Sequence, residues 1–158
     1  MKVTIRQLPE TLEEFSSQMD LSRPENTCAM LLEALALWLR DKEAGHQALD
    51  LLRGPRPMLP YDRQFLRDRM RGKDYLARAY FEGAVPENGY TPQTPRTVEV
   101  LPDTHPAQPG YCKVFLVTAG ADSPRPVTLR RKGDSWYLWE YSSILTGIRL
   151  PAAEDPWA

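Results

Sequence analysis

Residues Pro126–Ser143, PVTLRRKGDSWYLWEYSS, form the stretch whose reading decides the fold. Two segments of alternating character flank Gly133-Asp134, a dipeptide suited to a two-residue turn with positive φ, so the run predicts an antiparallel β-hairpin. With that turn, Lys132 faces Ser135, Arg131 faces Trp136, Leu129 faces Leu138 and Val127 faces Glu140, and all pairs but the first share one face. The opposite face carries Thr128, Arg130, Tyr137, Trp139 and Tyr141. A three-residue loop would slide the pairing and mix the two sets, because side-chain direction along a strand has period two.

Immediately upstream, Tyr111–Thr118, YCKVFLVT, points Cys112, Val114 and Leu116 one way and Phe115 and Val117 the other. Apolar groups on both faces place this strand in the middle of a sheet. Joined to the hairpin through AGADSPRP, it makes a three-stranded meander. Further back, Gly83–Gly110 contains six prolines and the Asn88-Gly89 turn, and only Thr97–Leu101 alternates like a strand, a fourth strand for the sheet edge. The rest of that segment is a crossing connection, and Tyr90 within it is a candidate rim residue over a pocket.

The first half of the chain has helical periodicity. Val3–Ile5 reads as a short strand and Pro9–Met19 as a short helix with Leu12, Phe15 and Met19 on one side. Ser22-Arg-Pro-Glu25 has the spacing of a capping box, which predicts a helix from Arg23 to Arg40. Its apolar positions surround more than half of its circumference, so it is expected to be buried on several sides. Asp41 suits the N-cap of a second helix that Gly54, Pro55 and Pro57 end. A third helix starts near Pro60, and Lys73–Phe81 continues as another short one. Between Asp62 and Asp74, five basic residues meet three acidic ones at pairing distances along a helix, which is a solvated face and not a phosphate-binding surface.

Helices first and strands afterwards predict an α+β domain, with N-terminal helices packed on a curved C-terminal antiparallel sheet of three to four strands. One domain is expected over residues 1–158: a helical half at about 10–82, the proline-rich connection 83–110, a sheet half at 111–150 and a tail at 151–158. Trp157 in that tail is expected to dock on the body or on a partner.

Composition narrows the function classes. Twenty Lys and Arg nearly balance twenty-one Asp and Glu, so no global field recruits nucleic acid or an anionic membrane. Cys28 and Cys112 are expected to be reduced core residues. The N-terminus lacks a basic segment followed by an apolar run, and no stretch is long enough to span a bilayer, which places the protein in the cytoplasm. With only His46 and His105, and no HExxH or paired-cysteine spacing, a zinc site is not expected; no phosphate-cradling glycine loop appears, and no cofactor is implied. Asp122 and Ser123 of GADSP read as turn residues that bond their own backbone, since the setting of a nucleophile elbow is missing.

Two features of the hairpin carry chemistry. The first is Glu140, which the expected register places among Val127, Leu129, Trp136 and Leu138, where desolvation would raise its proton affinity and make it a general acid or base. A pairing with Arg125 or Arg149 at the sheet margin is the plainer expectation. The second is the aromatic face of Tyr137, Trp139 and Tyr141 with Arg130 among them, a cation–π recognition surface if the helices leave it open and core if they do not. The leading expectation is a noncatalytic module that binds a protein or peptide through Arg130, Tyr137, Trp139, Tyr141 and Tyr90. The alternatives are a small-molecule pocket, isomerase- or dehydratase-like with Glu140 as its acid or base, and a subunit that dimerises through its sheet. The oligomeric state is left open.

Three phrases, FEGAVPENGYTP at Phe81–Pro92, GADSPRPVTLRRKGDSWYLWEYSS at Gly120–Ser143 and GIRLPAAEDPWA at Gly147–Ala158, resemble an uncharacterised family of small bacterial proteins, a domain of unknown function found mainly in gut anaerobes. The resemblance covers nearly the whole chain and implies no known reaction, cofactor or partner. In layout alone, helices followed by a curved antiparallel sheet are also similar to the cone-shaped, pocket-enclosing domains of the nuclear transport factor 2 superfamily. Those domains place a helix between their first two strands, where this sequence has a proline-rich loop.

Overall fold

A computed structural model describes all residues, Met1–Ala158. Strand β1 (Lys2–Ile5) is followed by four helices, α1 (Leu12–Gln18), α2 (Pro24–Arg40), α3 (Lys42–Arg53) and α4 (Pro60–Met70). Strands β2 (Arg96–Pro102), β3 (Tyr111–Leu116), β4 (Arg125–Lys132) and β5 (Ser135–Glu140) complete a curled, antiparallel sheet of five strands in the order β1-β2-β3-β4-β5. The α+β layout expected from the sequence is therefore the observed one. The N-terminal strand adds a fifth member and takes the edge position, so β2 lies inside the sheet. It manages this by changing partners along its length: Arg96–Glu99 pair with β1 and Val100–Pro102 with β3.

The inner sheet face consists of alternate residues that leave water together. Val98, Val100, Val114, Leu116, Val127, Leu129 and Leu138 are all at most 2 % exposed and join one core cluster with Cys28, Leu31, Leu32 and Leu35 of α2. Burying each such side chain stabilises the fold by roughly 1.5–3 kcal/mol. Helix α2 packs against the sheet, α3 and α1, and α3 also reaches β5, so α2 is buried on several sides from Thr27 to Trp38, as its broad apolar surface predicts. Gly45 makes the α2–α3 packing possible. A Cβ there would sit 2.3 Å from the Trp38 Cα.

Local signals hold in some places and fail in others. Asp41 caps α3 by accepting the Ala44 N–H at 3.1 Å, and Gly54 ends that helix at φ +61. The capping box at Ser22 does not form: Arg23 is the N-cap of α2, and the Ser22 hydroxyl donates to Asp20 instead at 2.6 Å. Residues Lys73–Phe81 are turns with a single 3-10 segment at Arg78–Tyr80, not a helix. The basic run of α4 is largely solvated; Arg71 pairs with Asp68 three residues away as expected, whereas Arg63 reaches across to Glu43 and Asp50 of α3. Both cysteines are free thiols, Cys28 buried and Cys112 half-buried. Pro151 at the start of the tail is buried, but Trp157 does not dock on the body, being 93 % exposed. No helix is long and apolar enough to cross a membrane.

The hairpin turn is Gly133-Asp134, with Gly133 at φ +60, and the pairs Lys132↔Ser135, Arg131↔Trp136 and Leu129↔Leu138 are those the sequence predicts. Beyond Leu138 the ladder bulges. Trp139 is the extra residue, so Glu140 lies opposite Thr128 and not Val127.

Candidate functional site

The bulge governs what the hairpin presents. Before it, Arg130 and Tyr137 pair across the strands, and Tyr111 of β3 pairs with Arg130 on the other side. These residues occupy the sheet face that the helices leave uncovered. Trp139 joins them from the bulge, meeting Tyr111 edge-on at 5.7 Å between centroids and 78° between planes. The Arg130 guanidinium lies 4.8 Å from the Trp139 centroid and 5.1 Å from that of Tyr111. A second guanidinium, that of Arg56, lies over Trp139 at 4.0 Å. Two cations thus share one half-buried indole, attracted by the negative face of its π-system.

Arg56 reaches this place because the connection between α3 and α4 is held against the β5 edge. Gly54 begins that connection where no side chain fits: a Cβ would lie 2.5 Å from Tyr137 Cδ1, and its φ is positive. Arg53 latches the segment by donating to the Arg56 carbonyl at 2.9 Å and to the Tyr141 hydroxyl at 3.1 Å, with Asp62 3.4 Å from it. Asp50 accepts the Met58 N–H and Asp62 the Leu59 N–H, each at 2.8 Å. Arg56 then donates to the Trp139 carbonyl at 2.6 Å. The same edge is closed nearer the turn, where Trp136 donates its N–H to the Leu21 carbonyl and its own carbonyl accepts from the Thr27 hydroxyl, both at 2.7 Å. An edge strand satisfied in this way is a poor template for an added strand.

Two clefts flank the Arg56–Trp139 stack. One, of about 320 Å³, is lined by Arg53, Pro55, Arg56, Arg130, Arg131, Lys132, Tyr137, Leu138 and Trp139, and has no acidic lining residue. The other, of about 350 Å³, runs between α4 and the end of β5 and includes Tyr61, Asp62, Phe65, Glu140 and Tyr141.

The sequence candidates separate accordingly. Arg130 and Trp139 come together on the open face as expected, and Tyr137 lies beside them, half-buried against Gly54. Tyr141 does not share that face. Past the bulge it turns toward Arg53 and lines the second cleft, where burial raises its pKa and the Arg53 hydrogen bond opposes the rise. Tyr90 is not a rim residue: it is fully buried, stacked on Tyr75 at 5.5 Å, and donates its hydroxyl to the Arg149 carbonyl. Glu140 is not an acid in an apolar pocket either. Its exposed carboxylate accepts the Ser142 hydroxyl at 2.6 Å and the Ser142 N–H at 2.8 Å, and the hydroxyl above all holds its pKa below the usual carboxylate value. Neither Arg125 nor Arg149 pairs with it, since Arg125 donates to the Gly147 carbonyl and Arg149 bonds Asp122.

Sequence reasoning missed Arg56, Arg53 and Tyr111. Arg56 and Trp139 are separated by 83 positions, and no local pattern announces such a contact. The prolines on either side of Arg56 were the one available sign of a rigid, exposed presentation. Also missed was Glu33, 6 % exposed in the middle of α2, whose Oε2 has no hydrogen-bond partner and whose pKa burial raises to about 7.

These features define an α+β domain with a covered inner sheet face and a cationic, aromatic outer one. The chain belongs to the family described as a domain of unknown function, DUF6935, which it matches over residues 7–152. No curated protein and no solved structure matches it.

Proposed function

We propose that the protein is a noncatalytic binding module that engages a protein or peptide partner through the outer face of the β4–β5 hairpin. The observation that carries this reading is the Arg130–Trp139–Arg56 assembly: two cations and a large aromatic, held in fixed geometry on the sheet face that no helix covers. Aromatic and arginine side chains are the groups that most often dominate binding energy at interfaces. Of the long connection 83–110, the final turn adjoins this surface, with the Arg131 N–H donating to the Gly110 carbonyl at 2.8 Å. The acid–base alternative draws no support from Glu140, which is exposed and held ionised. A cytoplasmic setting is part of the proposal and agrees with two unpaired thiols.

The test is affinity capture from the native cell extract with the unaltered chain, Arg130→Ala, Trp139→Ala and, as a control on α2's N-cap, Arg23→Ala. A partner retained by the unaltered chain and the control but lost by both hairpin variants is the expected result. Retention of the same partners by Arg130→Ala and Trp139→Ala would refute the assignment of this face.

A further inference from the structure

Building on that reading, we infer that the cleft between the hairpin and the α3–α4 connection takes an acidic peptide segment of the partner, bound through carboxylate or phosphate oxyanions. The first argument is charge. Five cationic side chains, those of Arg53, Arg56, Arg130, Arg131 and Lys132, line a space of about 320 Å³ to which no carboxylate contributes. In a chain whose formal net charge is −1, this is a local concentration and not a reflection of composition. Arg53 alone of the five forms an ion pair, with Asp62, while Arg56 also attracts the Glu140 carboxylate across the neighbouring cleft. Glu140 lies on the far side of Arg56, in the neighbouring cleft, and Asp134 occupies the hairpin turn.

The second argument is the orientation of the guanidinium groups. Stacking on Trp139 restrains Arg56 and Arg130 while leaving their N–H edges free of carboxylates. Arg130 spends none of its N–H groups on any protein acceptor, and Arg131 uses only Nε, on the Gly133 carbonyl at 3.0 Å. Planar donor forks held in place match a carboxylate or phosphate two bonds at a time and lose little side-chain entropy when they do so.

The same geometry disfavours single-stranded nucleic acid. Such strands are held by bases that stack on open aromatic faces. Here the indole already carries two guanidiniums, and Tyr111 meets it edge-on. What the surface offers is hydrogen-bond donors, not a ring.

The experiment uses the full chain and four fluorescein-labelled probes: a glutamate-rich peptide, the same peptide with phosphoserines in place of glutamates, its lysine analogue and an oligothymidylate. Binding is read by fluorescence anisotropy at about 50 and about 300 mM salt. Both oxyanion peptides are expected to bind, more weakly at the higher salt, and the lysine analogue is not. The tighter of the two identifies the oxyanion. Arg130→Glu should weaken the better peptide by about tenfold or more, the loss that follows from one charge-assisted hydrogen bond. Should that variant lose its native circular dichroism, Lys132→Glu at the exposed turn end provides the same readout. No binding of either acidic peptide, unchanged affinity in the charge-reversed variant, or tighter binding of the oligothymidylate would overturn the inference. If the acidic peptides fail while partner capture still depends on Arg130 and Trp139, the acidic chemistry is wrong and the binding module stands. If capture is indifferent to those residues, the module reading is what fails.

Discussion

Replacing Glu33 by Gln should remove a large part of the pH dependence of this protein's stability. Glu33 is 6 % exposed on a helix packed on several sides, its Oε2 meets no donor, and burial raises its pKa from 4.5 to about 7. A folded-state pKa above the unfolded value means that the unfolded chain releases the proton first as the pH rises. Stability therefore falls between about pH 4.5 and pH 7 and levels off above. The displacement corresponds to roughly 3 kcal/mol, a large share of the 5–15 kcal/mol typical of a domain. His46 works in the opposite direction, since burial lowers its pKa and its contribution grows as the pH rises toward 6.5. That contribution is common to both proteins and cancels in the difference between them. Urea unfolding followed by circular dichroism at intervals from pH 5 to pH 8 supplies the measurement. Glu33→Gln is expected to gain on the unaltered chain by about 2–3 kcal/mol across that range. At pH 5 the two proteins are expected to be close in stability, because the amide, like the protonated carboxyl, leaves a polar atom unmet at the Oε2 position. Parallel pH profiles for the two proteins would refute the reasoning and show that the carboxyl is solvated or paired in solution.

Two further outcomes test how the candidate site is held. Gly54→Ala should destabilise the fold by roughly 1–3 kcal/mol, read as a fall in melting temperature, because φ is +61 and the new methyl would lie 2.5 Å from the Tyr137 ring; a neutral result would show that the α3–α4 connection is not pressed against the hairpin. Ser142→Ala should move the NMR titration midpoint of Glu140 upward, since the Ser142 hydroxyl is the main cause of its lowered pKa, and an unmoved midpoint would detach Glu140 from that turn. In the unaltered chain Glu140 adds stability above its unfolded pKa that is lost as the pH falls through the lower folded value.

Much of the architecture was legible because it rests on short-range patterns. The alternation around Gly133-Asp134 was enough to pair Leu129 with Leu138, and the broad apolar surface of Arg23–Arg40 was enough to bury that helix on several sides. Failures came where a neighbour outside the local window competed for the same group. Ser22 has the spacing of a cap, yet Asp20 takes its hydroxyl. Tyr90 lies in a proline-rich loop, and nothing in that loop announces the Tyr75 ring that stacks on it. Counting from the turn puts Glu140 on the apolar face, and one bulged residue shifts it opposite Thr128.

The sequence by itself determined the elements and the inner face. Periodicity of two and of about 3.6 residues is a property of the backbone, so it marks which side chains must leave water wherever the element finally lies. Tertiary structure decided the outer face. Arg56 comes to Trp139 only because Gly54 lets a distant connection close against Tyr137, and the bulge at Trp139 places Glu140 opposite Thr128 and sends Tyr141 to Arg53. Such contacts depend on loop closure over many residues and on a single shift in register, and neither leaves a pattern along the chain.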